Sequence, residues 1–322
     1  MKQLKINIYP GRDPHFLRLT QGLRMLGHDV SVNAAGRFDM AFVSPSYVCT
    51  KKDIDADMIL FFDCEDDHKH FDPDVAYHEL KDKVLAYAKM NYVEDDRGDG
   101  IKNIAFPIAP YLALNDVAKA DFGVLQYYNA IPFLVGAPTF IGNYKGPYTE
   151  PQTSDGVHFV APHPEGNLLF NQRYQWLLSL RNNNIPHQGG IVFKDDNMSL
   201  KWQKEWFGDV EKFKCPPLSN KDHLTWLANC KIGLCPTGHD RMSWRVFDIM
   251  ATGAILVWTD TEQKTLYSPK SSLRISDDAD IGSILLDLQP AYKDIWLSHQ
   301  DNKKMLAELT PEKIWDDFIG QL

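Results

Sequence analysis

The chain has 322 residues, 44% of them hydrophobic and 24% charged, with a formal net charge of −9. Such a chain is long enough for two globular domains with a core in each. No apolar run approaches the ~18 to 20 residues of a membrane-spanning helix, and the negative charge argues against broad nonspecific binding to nucleic acid, which needs a basic surface.

In chain order, Leu4 to Ile8 predicts a short strand, followed by the turn Tyr9-Pro10-Gly11 and a helix from about His15 to Leu26. Gly27-His28-Asp29 closes that helix, and Val30 to Val32 begins the next strand. Asp39 to Val43 and Met58 to Phe62 are further apolar runs of buried-strand type. Asp74 to Lys89 predicts a helix, and Phe106 to Pro110 an extended crossing segment. Strands alternating with helices imply a parallel, doubly wound α/β sheet.

From Gly142 to Gly156 the sequence reads GNYKGPYTEPQTSDG, a composition suited to a linker or long loop. The expected domains are therefore 1–150 and 151–322. Beyond the linker, Val157 to Ala161 predicts a strand, Leu168 to Arg181 a helix, Gly190 to Phe193 a strand and Ser219 to Cys230 a capped helix. Thr310-Pro311-Glu312 starts a final helix with a cap and a proline in its first turn. The five cysteines (Cys49, Cys64, Cys215, Cys230 and Cys235) are odd in number and lack C-x-x-C spacing, so reduced, buried thiols are expected. The N-terminal MKQLKINIYPG turns polar after one strand, unlike a signal peptide.

The most informative stretch is Lys231 to Asp260, KIGLCPTGHDRMSWRVFDIMATGAILVWTD. It predicts a buried strand (Ile232 to Cys235), a polar loop (Pro236 to Met242), a helix from about Ser243 and a second strand (Ala254 to Trp258). Ser243 suits an N-cap, and Gly253 stands where a helix end wants a left-handed residue. A loop running into a helix N-terminus is a ready anion site, because unpaired N–H groups and the helix dipole point at it. Arg241 and Arg245 add guanidinium groups, which grip phosphate with two prongs. Asp248, about one turn beyond Arg245, offers a carboxylate to sugar hydroxyls. Phosphate grip beside a hydroxyl acceptor is the chemistry of a nucleotide or nucleotide-sugar site. The plain alternative is an ordinary Rossmann-type unit with surface arginines.

This stretch resembles the donor segment of GT-B glycosyltransferases, which have two Rossmann-like domains facing each other across a cleft. It is most similar to the exostosin-like pattern, matched in order by Pro236, Gly238, Ser243, Arg245, Asp248, Gly253 and the strand after it. Asp240 and Asp248, eight residues apart, also resemble a paired-acid motif, with Asp where Glu is commoner. The exostosin-like match implies inversion of the sugar and the paired acids imply retention. The opening strand, glycine turn, helix and "GHDV" resemble the start of the same enzymes. The resemblance implies a nucleotide-sugar co-substrate, in the first place a UDP-sugar, with no metal or other cofactor. Exostosin-like enzymes of eukaryotes are generally anchored in the secretory pathway. Without such an anchor, a cytoplasmic bacterial enzyme, or a viral one in its host's cytoplasm, is expected.

Other candidates follow from that resemblance. Gly238, His239 and Asp240 would line the sugar and phosphate pocket beside Arg241. Arg173, about fifteen residues past the strand that opens the second domain, and Lys194, at the end of a strand, would approach the donor, although either also reads as a solvated charge. In the first domain a carboxylate or His must take the proton of the acceptor hydroxyl, and Asp13, His15, Asp63 and Glu65 all stand after strands where such a base is placed. The acidic run Asp63 to His70 also suits Mn²⁺ or Mg²⁺, as in glycosyltransferases of the GT-A fold. Two arginines and a helix dipole make that metal unnecessary. The expected acceptor is a glycan or other small hydroxyl compound. A hydroxylated base in DNA, as modified by phage-type enzymes, is the alternative, with Lys51-Lys52 and Lys201 to Lys204 as its basic residues. A nucleotide-binding protein without activity is the second alternative.

Overall fold

A computed structural model describes residues 2–10, 19–44 (except 21 and 25), 54–63, 83–89, 102–105, 135–136, 140–143, 157–158, 164–193 (except 189), 213, 227–236 (except 229), 245–259 and 267–322 (except 310). The chain forms two compact units. The first comprises Met1–Asn115, Glu262–Ser268 and Leu309–Leu322, and the second Asp116–Thr261 and Pro269–Glu308. The division thus falls at residue 115 rather than at the Gly- and Pro-rich stretch near 150. The last helix joins the first unit rather than the second.

Unit 1 is built on six strands, β1 (Lys5–Tyr9), β2 (Asp29–Val32), β3 (Phe38–Val43), β4 (Ala56–Asp63), β5 (Val84–Lys89) and β6 (Lys102–Ala105). They are all parallel, in the order β2-β1-β3-β4-β5-β6. The strands are apolar on both faces, as a sheet covered on both sides requires. Ile6, Ile8, Met40, Phe42, Leu60 and Phe62 alternate along one face and are almost wholly buried. Tyr9, Ala41, Val43, Ile59, Phe61 and Tyr87 form a cluster on the other.

The helix expected over 74–89 is, from Val84 onward, strand β5. Its Ala86, Tyr87 and Ala88 are buried, and Leu60↔Ala86 and Phe62↔Ala88 pair across from β4. Small residues beside the bulky ones of β4 fit a central strand, and tertiary burial overrides the helical preference of alanine. β6 was not anticipated, and residues 74–82 and 106–110 lie outside the described ones.

Two polar side chains tie the first unit together. Asn7, fully buried in β1, donates to the Tyr9 hydroxyl (2.9 Å) and to the Ala34 carbonyl (2.7 Å), holding the chain after β2 against the sheet. At the end of the first helical stretch Gly27 is left-handed (φ 83°), and its N–H donates to the Arg24 carbonyl (2.9 Å). His28 follows, accepting from the Leu4 N–H (3.2 Å) with its ring 5.0 Å from that of Trp315. Burial lowers the His28 pKa below its ordinary value. Trp315 lies on the last helix, α5 (Pro311–Ile319), whose Phe318 is fully buried against Phe42, at 6.2 Å between ring centres.

Unit 2 contains two parallel sheets. One has the order β10-β7-β12-β13-β14, from β7 (Val135–Gly136), β10 (His187–Gln188), β12 (Ile232–Cys235), β13 (Ile255–Thr259) and β14 (Leu273–Ile275). The other is β11-β8-β9, from β8 (Phe140–Asn143), β9 (Val157–His158) and β11 (Ile191–Phe193). β7 pairs with β12 and β8 with β11, so residues before 150 belong to these sheets. Among the described residues the helices beside them include α1 (Pro164–Asn182), α2 (Arg245–Thr252), α3 (Ile281–Leu288) and α4 (Tyr292–Glu308).

On one face of the five-stranded sheet, Ile232, Leu234, Ile255 and Val257 pack with Trp176, Leu177 and Leu180 of α1 and with Ile281 and Leu285 of α3. A polar seam joins those helices. The Ser179 hydroxyl donates to Asp280 and accepts from the Gly282 N–H (2.8 Å), and the Ser283 hydroxyl donates to Asp280 (2.7 Å). These bonds lower the Asp280 pKa, Ser179 contributing most.

Candidate functional site

In the segment expected to carry the function, the described residues form a strand, β12, a helix, α2, and a second strand, β13. β12 pairs with β13 in parallel, from Ile232↔Ile255 to Cys235↔Trp258. α2 connects them, so its first residue, Arg245, lies toward the carboxyl ends of the strands, where the loop from Pro236 leaves β12. Ligands of open parallel sheets bind outside those ends, and a helix N-terminus favours an anion there.

α2 is a buried helix. Val246, Phe247, Ile249, Met250, Ala251 and Thr252 are all buried, and Asp248, in the first turn, is half-buried. Asp248 stands three residues after Arg245, on the same side of the helix. Anion-accepting backbone and a carboxylate thus share one end of a helix otherwise committed to the core.

The other end of α2 is closed as the sequence implies. Gly253 is left-handed (φ 81°), and its N–H donates to the carbonyls of Ile249 and Met250 (both 3.2 Å). The Gln300 amide, from α4, donates to the Gly253 carbonyl (3.0 Å) and to the Trp296 carbonyl (3.2 Å). α2 also sits close to the sheet. A Cβ on Gly233 would fall 2.6 to 2.9 Å from three carbons of the Ile249 side chain.

Gln300, Gly233 and Ile249 were not among the expected site residues. Gly233 did carry a signal, since a glycine inside an apolar strand marks a close approach. Gln300, 47 residues from its partner, carried none.

Of the remaining donor candidates, Arg173 lies on α1 between Gln172, which donates to Asp277 (3.0 Å), and Tyr174, which is buried edge-on to Phe213. Lys194 directly follows β11, a strand of the three-stranded sheet and not of the sheet that holds β12. Gly238, His239, Asp240, Arg241, Ser243 and Lys194 lie outside the described residues. Lys231, 8% exposed, has its ammonium 4.8 Å from the centre of the Tyr292 ring. It precedes β12, at the end of the strand opposite the loop, and its pKa is lowered by burial and then by Lys293.

In unit 1 the strand order reverses between β1 and β3, and the loops that follow both leave from the carboxyl edge of the sheet. Such a reversal is where doubly wound sheets hold ligands. Asp63 ends β4, two residues past Phe61, the partner of Val43. Asp13 and His15 follow β1 and Glu65 follows β4; these three lie outside the described residues. Of the four candidates only Asp63 is among the described residues, at the carboxyl end of β4. Cys230 and Cys235 are buried and form no disulfide, and burial raises the Cys230 thiol to about 12. A thiol so poor at ionising is a small core residue and not a nucleophile.

No family model matches the chain, and no curated protein matches it in sequence. Solved structures do match in fold. An alpha-glucosyltransferase in complex with UDP and a 13-mer DNA containing a central A:G mismatch superposes over 99% of both chains, with a TM-score of 0.55 at 7% identity. Anabaena Alr3699/HepE in complex with UDP-glucose superposes over 99% of both chains, with a TM-score of 0.51 at 11% identity. The same protein with UDP and glucose gives 0.51 at 12% identity, over 99% of this chain and 100% of that one. The chain has the GT-B fold expected from its donor-like segment.

Proposed function

We propose that this GT-B chain is a glycosyltransferase that moves a sugar from a nucleotide sugar, in the first place a UDP-sugar, to a hydroxyl acceptor. One observation carries the reading: the N-terminus of α2, with Arg245 and the half-buried Asp248, opens at the carboxyl edge of β12 and β13. The fold is shared over nearly the whole chain with structures that hold UDP or UDP-glucose.

In this reading Arg241, Arg245 and the helix dipole at the start of α2 stabilise negative charge as the diphosphate departs, the largest electrostatic demand of the reaction. Asp248 accepts hydrogen bonds from ribose or sugar hydroxyls. Gly238, His239 and Asp240 line the sugar pocket, with Arg173 and Lys194 as further donor contacts. The acceptor proton passes to one of Asp13, His15, Asp63 and Glu65. Two guanidinium groups and a helix dipole already supply the positive charge, so the reading is metal-independent and cytoplasmic, with a glycan or small hydroxyl compound as acceptor.

The test is thermal unfolding against a panel of nucleotide sugars, with and without EDTA. A ligand at a hundred times its Kd stabilises the folded protein by about 2.7 kcal/mol. UDP-sugars are expected to raise the melting temperature equally in both buffers. No shift with any nucleotide sugar would sink the donor site, and a shift that vanished with EDTA and returned with Mn²⁺ would move the donor to the acidic run after β4.

A second reading has a specific observation behind it, because one structure of the same fold holds DNA together with UDP. A DNA acceptor requires several phosphate contacts. Its apparent affinity would then fall by roughly 0.9 log units per log unit of salt for each contact. A glycan acceptor, bound through hydroxyl groups and aromatic faces, would show a KM that barely moves. With a net charge of −9, the shallow response is expected. Transfer to hydroxylated DNA with a steep salt slope would reverse the choice.

A further inference from the structure

We propose that Gly233 and Gln300 are positioning residues for the donor-binding end of α2, Gly233 setting how deeply the helix lies on the sheet and Gln300 fixing where it stops. The proposal rests on the donor-site reading above and adds two residues to it, neither of them among the expected substrate contacts.

Gly233 stands across from Gly136 on β7 and Leu256 on β13. In parallel pairing, residues directly across from one another face the same way, so two neighbouring glycines leave a flat place on the face that meets α2. Ile249 fills it. Its two γ carbons and δ carbon stand 2.6, 2.7 and 2.9 Å from where a Gly233 Cβ would be. Any side chain at 233 must therefore lift or tilt the helix or drive Ile249 from its rotamer.

Ile249 lies one turn beyond Arg245 and next to Asp248. Its carbonyl accepts both the Thr252 hydroxyl (2.9 Å) and the Gly253 N–H (3.2 Å). A shift at Ile249 is carried along an eight-residue helix to the amides and guanidinium at its start. Gln300 acts at the far end. Its amide donates to the Gly253 carbonyl and, back on its own helix, to the Trp296 carbonyl, so α2 is tied to α4 at its last turn. With depth and end point both fixed, the helix start is held as part of a rigid body, the condition for a charged site to act without reorganising.

The experiment measures UDP binding by calorimetry on the full chain, at a temperature where each variant is folded. Gly233→Ala is expected to raise the Kd for UDP roughly tenfold to a hundredfold, the scale of losing one hydrogen bond to a charged group. Gly233→Ala combined with Ile249→Ala is expected to bind within about threefold of Ile249→Ala alone, because the second change removes the atoms that the first one strikes. Gln300→Glu, nearly isosteric but unable to donate, is expected to weaken UDP in the same direction and keeps the test decisive should Gly233→Ala not fold. A purely structural role would lower the melting temperature and leave the UDP affinity of the folded variants unchanged. That result, or failure of Ile249→Ala to rescue, overturns the positioning role while wild-type binding stands. If the wild type itself did not bind UDP, the donor-site reading would fall first.

Discussion

Arg245→Ala is expected to nearly abolish sugar transfer and to weaken UDP binding while the protein remains folded. Arg245 is the first residue of α2, where backbone N–H groups lack helical partners and the dipole is positive. In the proposed site a guanidinium there would add charge-assisted bonds to the donor diphosphate. Their loss should cost on the order of 2–4 kcal/mol in the transition state, or about thirtyfold to a thousandfold in kcat/KM. Alanine is the better helix former, so α2 itself is not disfavoured. Steady-state kinetics beside a circular-dichroism spectrum decide the matter. Wild-type turnover in a folded variant would mean that the donor binds elsewhere.

The largest expected effect on stability lies in the last helix, α5. Phe318 is fully buried, with its ring 6.2 Å from that of Phe42 and 5.6 Å from that of Trp315. Trp315 in turn covers His28, and the Tyr267 hydroxyl donates to Asp317 (2.9 Å) on the same helix. Phe318→Ala should destabilise unit 1 by about 3–5 kcal/mol, the range for a buried aromatic replaced by alanine. Against a total of about 5–15 kcal/mol for an ordinary domain, that is a large share. Urea unfolding followed by tryptophan fluorescence measures it. A loss below about 1 kcal/mol would mean that α5 is not part of the core of that unit.

The strands with the longest apolar runs were legible from the sequence. β1, β3, β4, β12 and β13 fall within a residue or two of their expected ends, because strands buried on both faces read as uninterrupted hydrophobic runs. β5 was misread, since alanines and flanking charges imitate a helix and only the neighbouring bulk of β4 explains them. The two-residue strands β7 and β10 have no periodicity to detect. Within the candidate site, the glycine that ends α2 was legible because its φ is a local requirement. The helix begins at Arg245, two residues after the expected cap Ser243, which lies outside the described residues. Gln300 was invisible because a hydrogen bond between distant segments leaves no mark on either one. The division of the chain was hidden for the same reason: Phe42 and Phe318 are far apart in sequence, and nothing near 309 announces a return to the first sheet.

That return has a consequence for how the protein is made. The face of the first sheet that carries Phe42 leaves the ribosome long before Trp315 and Phe318, which complete its cover. At roughly 5–20 residues per second the delay is about 13 to 55 s. Throughout that interval a growing chain presents an unfinished apolar surface while the whole of unit 2 is being synthesised. Of the two units, the one that is begun first is thus the last to be sealed, and holdase chaperones that bind exposed apolar segments would find their target while the rest of the chain is being made.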